Sequence, residues 1–239
     1  MATRPRTLPA SSPSAASSFF RAMLAVAWKD LAAELRSREL FSAMLVFSLL
    51  VIVIFNFALE LDIRTRQSVT SGVLWVTFAF AGTLGLNRSM AIEKEQSSMD
   101  GLLLAPVDRS AIYFGKVASN LVFMLGVEVV VLPIYALLYN VNLFIPGFLL
   151  VLLLGSVGYI VVGTLLAAMA VQSRARDMLL PILHFPVAMA VLIASVKASG
   201  GYLTGADPAS IQTWLNLLIV YDVVFTSIAF MVFDFVVEE

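Results

Sequence analysis

Three ionisable side chains interrupt long apolar stretches of this sequence: Glu128, His184 and Asp222. A carboxyl group in such a stretch can line a polar pathway or contact a substrate, and an imidazole can bind a haem iron or shuttle a proton. Each also has a structural interpretation: a hydrogen-bonded glutamate, an aspartate at the headgroup boundary, and a hydrogen-bonded histidine. Glu128 and Asp222 are therefore candidate polar sites within spans. His184 is a candidate ligand, although a lone histidine in an apolar helix is more often structural.

The residue types that most enzymes and metal sites need are missing. The chain has no cysteine and one histidine, which excludes disulfides, thiol chemistry and a metal held by a His or Cys cluster. It has no G-x-x-x-x-G-K-S/T motif to hold ATP, and it offers no Ser/His/Asp set and no H-E-x-x-H motif. We expect no enzymatic activity, no metal and no cofactor bound directly by this chain.

The elements that carry these residues are predicted to be membrane spans. The chain of 239 residues is 60% hydrophobic and 13% charged, about half the charged fraction of an ordinary globular protein. Its apolar residues form runs of about the length needed to cross roughly 30 Å of hydrocarbon. The sequence therefore predicts an all-α polytopic membrane protein with six transmembrane helices, at residues 40–59, 69–86, 117–139, 148–171, 178–196 and 214–237.

The basic residues predict the orientation of these spans, because lysine and arginine in short loops favour the cytoplasmic side. The segment before the first span holds six of them, residues 87–116 hold four, and residues 172–177 hold two. The opposite side holds the remaining three of the 15, Arg64, Arg66 and Lys197. With six spans, we expect both termini and residues 93–116 on the cytoplasmic side of the membrane.

The region before the first span divides into a tail and a helix. Residues 1–18 are mainly proline, serine, alanine and arginine, without the apolar surface that ordering requires, and they predict a disordered tail. From residue 19 onward, apolar residues recur at spacings of three and four, which predicts an amphipathic helix lying in the membrane interface. The alternative is a plain cytoplasmic extension of the first span. The apolar stripe comprises Phe20, Leu24, Ala27, Leu31 and Leu35.

The most polar run in the body of the chain, residues 93–116, reads "EKEQSSMDGLLLAPVDRSAIYFGK". Pro106 cannot continue a helix, and Asp108 suits the N-cap of a new one that runs from Arg109 into the third span. The pattern predicts a helix, a sharp break and a second helix at the membrane surface. Its leucines either dock on a partner or pack beneath the protein's own helices. The candidate docking residues are Glu93, Glu95, Asp100, Leu102, Leu103, Pro106, Asp108 and Arg109.

An interfacial helix, six spans and a charged helix-turn between spans two and three resemble the permeases of ABC-2 type exporters. The stretch "GLNRSMAIEKEQSSMDGLLLAPVDRSAIYFGK", residues 85–116, is similar to the signature of the haem exporter B family. Residues 28–39, 172–183 and 222–239 resemble that family too, so the likeness extends over residues 19–239. Ser97 and Ser98 depart from it, since we expect a glycine and a small residue there. His184 matches no family position, which weakens its case as a ligand.

The resemblance implies a six-helix permease domain at residues 19–239, with a cytoplasmic coupling segment at 88–116 that docks on a separate ABC ATPase. It implies a permease subunit for cytochrome c maturation, in which the partner hydrolyses ATP and the coupled step is haem export or release of a haem-loaded chaperone. Haem is then a candidate substrate, and the resemblance implies a location in the inner membrane of a bacterium. The implied partners are the ATPase, a haem-handling polytopic membrane protein, a small accessory membrane subunit, the haem chaperone and the lipid bilayer, with no nucleic acid.

Two other functions fit parts of the pattern. A general ABC-2 exporter of lipid, polysaccharide or drug shares the spans and the coupling turn, and only the long signature argues against it. A membrane scaffold that transports nothing needs no ATPase partner, and it would tolerate charge changes in the coupling segment.

Overall fold

The computed structural model describes residues 15–58, 63–95, 108–170, 173 and 175–236. For residues 15–18, 63–64, 93–95, 176 and 234–236 the description covers the backbone alone. Most of the predicted tail and the centre of the predicted coupling segment therefore lie outside the described residues.

The described chain folds into seven helices and contains no strand. Six of them, α2 to α7, are long and apolar enough to cross a membrane, which confirms the predicted fold class and the number of spans. The helices are α1 (Ala15–Ser37), α2 (Glu39–Ala58), α3 (Ile63–Glu95), α4 (Arg109–Tyr139), α5 (Pro146–Ala170), α6 (Arg176–Thr204) and α7 (Pro208–Val236).

Several helices extend well beyond the apolar runs that predicted them. The run at 69–86 becomes helix α3 from Ile63 to Glu95, and the run at 117–139 becomes helix α4 from Arg109. Apolar runs mark the part of a helix that lies in hydrocarbon, whereas the backbone hydrogen bonds continue past it into charged sequence. Helix α1 likewise begins at Ala15, four residues before the boundary predicted for the tail.

The helix ends follow local chemistry. Asp108 has extended backbone angles and its carboxylate accepts a hydrogen bond from the Ser110 amide at 2.9 Å, which confirms it as the N-cap of α4. Asn140 and Gly205 end α4 and α6 in the left-handed conformation, where a side chain is usually disfavoured. Proline does not interrupt a span, because Pro133 lies inside α4 and both Pro181 and Pro186 lie inside α6.

Helix α5 packs against α3, α4, α6 and α7, and α3 and α5 are buried over most of their spanning length. Glycines in α5 allow the neighbouring helices to pack close to its backbone. A Cβ atom built on Gly155 would lie 2.2 Å from the Trp75 ring and 2.3 Å from the Ser195 hydroxyl. One on Gly163 would lie 2.3 Å from Leu86. Because lipid tails are as apolar as leucine side chains, contacts of this closeness, and hydrogen bonds between helices, hold such a bundle together.

We predict that Gly155→Ala destabilises the bundle by about 1–3 kcal/mol, because the added methyl group must displace a tryptophan ring. Gly72→Ala is the matched control, since a Cβ atom there meets nothing within 4 Å. The control is expected to match the wild type or exceed it by about 0.5–1 kcal/mol, the gain in helix propensity. Unfolding in mixed micelles measures both, and equal stability of the two variants would contradict the packing described here.

Candidate functional site

The predicted docking residues lie around the gap between α3 and α4. Glu93 and Glu95 belong to the last helical turn of α3, described here by backbone alone. Asp108 is exposed and Arg109 is half-buried at the start of α4. The other four candidates, Asp100, Leu102, Leu103 and Pro106, lie outside the described residues.

Helix α4 leads from this gap directly into the bundle. Its first two turns are already buried, with Ile112 and Tyr113 fully enclosed. The Tyr113 hydroxyl donates to the Val161 carbonyl of α5 at 2.7 Å, and Asn120 donates to Thr164 one turn further along α5 at 3.1 Å. A displacement of the α4 N-terminus therefore acts on α5 through hydrogen bonds as well as through packing.

A buried ion pair joins α4 to the N-terminal helix α1. The Lys116 ammonium lies 2.7 Å from an Asp30 carboxylate oxygen, and the two side chains are 2% and 10% exposed. Ser119 donates to the same oxygen at 3.1 Å. Lys29 approaches the other oxygen at 3.2 Å from a more exposed position. Ion pairs with this little exposure are costly to break, because the remaining charge is left in low dielectric.

The two helices cross closely beside this pair. A Cβ atom on Gly115 would lie 2.7 Å from the Val26 Cβ atom and 2.8 Å from the Met23 carbonyl oxygen. A side chain there would meet the backbone of α1 and force the helices apart. Gly115 and Lys116 together thus fix α1 against the start of α4.

Glu34 fixes the turn from α1 into α2. The side chain is buried at 7% exposure, and one carboxylate oxygen accepts from the Phe41 amide at 2.8 Å. That amide lies in the first turn of α2, where backbone N–H groups lack helical partners. Ser37 donates to the other oxygen at 3.4 Å. A buried glutamate of α1 therefore caps the first span.

The apolar stripe of α1 is divided between the bundle and the surroundings. Ala27 is buried, whereas Phe20, Leu24 and Leu35 are more than half exposed. The buried side of α1 also includes Val26 and the acidic residues that bind Lys116 and cap α2. Helix α1 thus presents apolar side chains outward and acidic groups inward, as suits a helix in the membrane interface.

A polar cavity of about 290 Å³ lies between α1, α2, α3 and α4. An ion pair between Arg88 of α3 and Glu39 of α2 borders it, and the Asp30–Lys116 pair borders it as well. All four helices that line the cavity therefore meet at charged contacts. We name these two ion pairs, with Glu34, the charged collar.

Glu128 is fully buried at the contact between α4 and α5. One carboxyl oxygen accepts from the Ser156 hydroxyl at 2.5 Å, and the other has no hydrogen-bond partner among the described residues. The carboxyl group therefore faces the interior of the bundle, between α4 and α5.

Asp222 lies midway along α7 and is 9% exposed. Neither carboxyl oxygen has a partner within the described part of the chain, and one oxygen lies against Gly158 of α5. Residues 156 and 158 are about 200° apart around a helix, so Glu128 and Asp222 meet α5 on different sides. The structure does not combine them into one site, and no group of three metal-ligating side chains occurs among the residues it describes.

His184 is fully buried between α5 and α6. Its Nε2 atom lies 3.1 Å from the Tyr159 carbonyl oxygen, and its ring packs 4.2 Å from the Tyr159 ring. A Cβ atom on Gly163 would lie 2.7 Å from the imidazole. The histidine is thus packed tightly against α5 and hydrogen-bonded to its backbone, while its Nδ1 atom is buried without a hydrogen-bond partner among the described residues.

Sequence reasoning missed the charged collar. Asp30 and Lys116 are 86 positions apart, and nothing in the sequence pairs them before the fold is known. The signals were indirect: an acidic residue beside the apolar stripe of an interfacial helix, and a lysine inside an otherwise apolar run of α4.

Comparison with known proteins places this geometry in a family. Residues 21–237 match the family described as CcmB protein. Heme exporter protein B of Rhodobacter capsulatus is 30% identical over 199 residues, covering 82% of this chain and 89% of the relative. The Pseudomonas aeruginosa protein of the same name is 29% identical over 175 residues, covering 73% and 78%. The Paracoccus denitrificans one is 28% identical over 198 residues, covering 81% and 89%.

The matched region contains all six spanning helices and most of α1, together with the charged collar. Bacterial relatives and six spans identify a multi-pass bacterial membrane protein. The chain belongs to the CcmB protein family.

Proposed function

We propose that this protein is the permease subunit of an ABC transporter complex that serves cytochrome c maturation. A partner ATPase docks on residues 88–116, and its ATP-driven closure moves the spans. The coupled step is haem export or release of a haem-loaded chaperone. The name of the relatives, heme exporter protein B, supports haem as the molecule handled.

The observation that carries this proposal is the continuity of α4. It is one helix from the Asp108 cap to Tyr139, so the end of the docking segment and the core of the bundle are the same rigid element. Helix α3 enters the segment in the same way from the other side and ends at Glu95. A partner that moves residues 96–107 therefore moves two helices at once.

The charged collar extends this movement to the remaining helices at that end. Through Asp30 and Lys116, α4 carries α1 with it, and Glu34 fixes α1 to the first turn of α2. Arg88 joins α3 to α2. The four helices shift as a group against α5, α6 and α7, which is a rigid-body domain movement of the kind that transporters use.

Purification in mild detergent from native membranes tests the proposal, with every co-purifying subunit identified by mass. We expect an ABC ATPase together with a second polytopic, haem-containing protein. An ATPase without that second protein would favour the general exporter, and absence of any ATPase would exclude both kinds of transporter.

We predict that the combined variant Glu93→Lys, Glu95→Lys and Asp100→Lys loses the ATPase during purification. Its c-type cytochrome content in a complemented deletion strain should fall at least about tenfold, since like charges opposed across an interface cost several kcal/mol. The control reverses the charges of Glu238 and Glu239 by substitution with lysine. The predicted topology places these two residues on the cytoplasmic side, as it does the three docking candidates. Normal cytochromes in the triple variant, with normal insertion, would make the docking assignment wrong.

For the charged collar, we predict that Lys116→Met lowers the free energy of unfolding by about 3–5 kcal/mol, because Asp30 keeps a buried charge without its main partner. Lys29→Met removes the more exposed cation beside the same carboxylate and should cost about 0–1 kcal/mol.

A double variant, Asp30→Leu with Lys116→Met, distinguishes the contribution of the ion pair to stability from its proposed role in transmitting the movement of α4 to α1. Replacing both charges by apolar groups is expected to recover much of the stability. If the ion pair transmits motion, the double variant should nevertheless produce less c-type cytochrome than the wild type. Full recovery of both would reduce the pair to a purely structural contact.

We predict that Glu128→Gln retains normal expression and cytochrome production, because the amide oxygen still accepts from Ser156. Glu128→Leu removes that acceptor and is expected to be less stable by about 1–3 kcal/mol. Loss of cytochromes in the glutamine variant, at normal expression, would instead assign the carboxyl group to a pathway.

A further inference from the structure

An apolar groove runs between α1, α2 and α4, beside the turn from α1 into α2. Its volume is about 680 Å³, within the range of about 300–1,000 Å³ found for ligand sites. We name it the elbow groove. Its apolar lining includes Trp28 and Leu35 of α1, Phe41 and Leu45 of α2, and Val122 and Gly126 of α4.

The elbow groove is open to the surroundings. Trp28, Leu35 and Val122 are 67%, 70% and 49% exposed, so no described part of the chain covers them. The groove also runs in a defined direction. It begins at Arg38, in the turn, and continues to Leu45, seven residues or about 10 Å further along α2. It therefore leads from the end of a span into its apolar part.

Arg38 stands at the mouth of the groove in an unusual conformation. It is the single residue between α1 and α2, and its φ of 57° is in the left-handed region. A glycine takes this conformation freely, whereas another residue loses on the order of 1–2 kcal/mol. The guanidinium is exposed and makes no hydrogen bond or ion pair with the residues that the structure describes. A cation held at a position suited to glycine indicates a role for its charge.

The other charged group at the mouth, Glu34, is already engaged. Its two oxygens accept from the Phe41 amide and the Ser37 hydroxyl. Arg38 is therefore the group at this mouth that is free to bind an anion. An apolar groove that ends at a cation matches a molecule with a long apolar chain joined to an anionic group.

We propose that the elbow groove binds one phospholipid of the surrounding bilayer. An acyl chain lies along Phe41, Leu45 and Gly126, and the phosphate lies at Arg38, where a guanidinium can donate two hydrogen bonds to it. The bilayer supplies this chemistry at high concentration beside the open side of the groove. A helix of a partner protein would cover the apolar lining but would meet Arg38 only if it carried an acidic residue at that depth.

The first test counts phospholipids retained by the full chain in mild detergent, by native mass spectrometry. The wild type should retain one. Arg38→Gly should lower the retained fraction about tenfold or more, as loss of a charge-assisted hydrogen bond predicts. This variant suits the backbone better than the wild type, so its thermal unfolding should be unchanged or improved. Arg36→Gln is the control, because it removes the same charge two residues away and outside the lining.

The second test fills the groove. Gly126→Leu places a side chain there at the cost of a small shift of the Phe41 ring, which would lie 3.1 Å from the new Cβ atom. Gly72→Leu adds the same side chain where nothing lies within 4 Å. Lipid retention should be lost in the first variant and kept in the second.

Cysteine labelling identifies the occupant in the native membrane. The chain has no cysteine, so Leu35→Cys provides a single site for a photoactivatable maleimide. Crosslinks to phospholipid, weakened by adding Arg38→Gly, support the proposal. It is overturned if the label reaches only a partner protein, if the purified wild type retains no phospholipid, or if all four variants retain it equally.

Discussion

The rest of this structure depends on the need to satisfy polar groups where water is absent. The spans solve this for the backbone by being helices, and several of them continue through proline or past the apolar sequence. Their buried side chains solve it by binding to a neighbouring helix. Helix α5 takes part in many of these contacts, as α4 does: Val161, Ser156 and Tyr159 of α5 bind groups from α3, α4 and α6. This arrangement makes α5 the common reference against which its neighbours are positioned.

The contacts around α5 and the contacts around α1 are of different kinds. Around α5 the contacts are close glycine approaches and neutral hydrogen bonds, which fix one packing. At the α1 end they are ion pairs and a carboxylate cap, with a polar cavity between them. Breaking the buried Asp30–Lys116 pair is costly, so the collar holds its four helices together. A tightly packed core cannot deform gradually, so movement of these four helices against α5 is expected as a single rigid-body shift.

Composition and charge placement were sufficient to predict the class of protein, the six spans and the cap at Asp108. These features depend on residues close together in sequence, such as Asp108 and the Ser110 amide that it caps. The charged collar could not be predicted from the sequence, because its ion pairs form only when the helices pack. These pairs are Asp30 with Lys116 and Glu39 with Arg88. The contacts of His184 could not be predicted for the same reason. Its hydrogen-bond partner, the Tyr159 carbonyl, and the glycine that makes room for its ring, Gly163, both lie on another helix, α5. The candidate residues between α3 and α4 remain predictions, since most lie outside the described residues.

The length of α3 sets where a partner can dock. Its 33 residues make a rod of about 50 Å, against a hydrocarbon thickness of about 30 Å. A tilt of about 20° shortens its projection by only a few ångströms. The predicted docking residues Glu93 and Glu95, in its last turn, are thus carried beyond the headgroups, within reach of the soluble partner proposed above. A small rotation of the rod about its buried middle gives opposite displacements at its two ends.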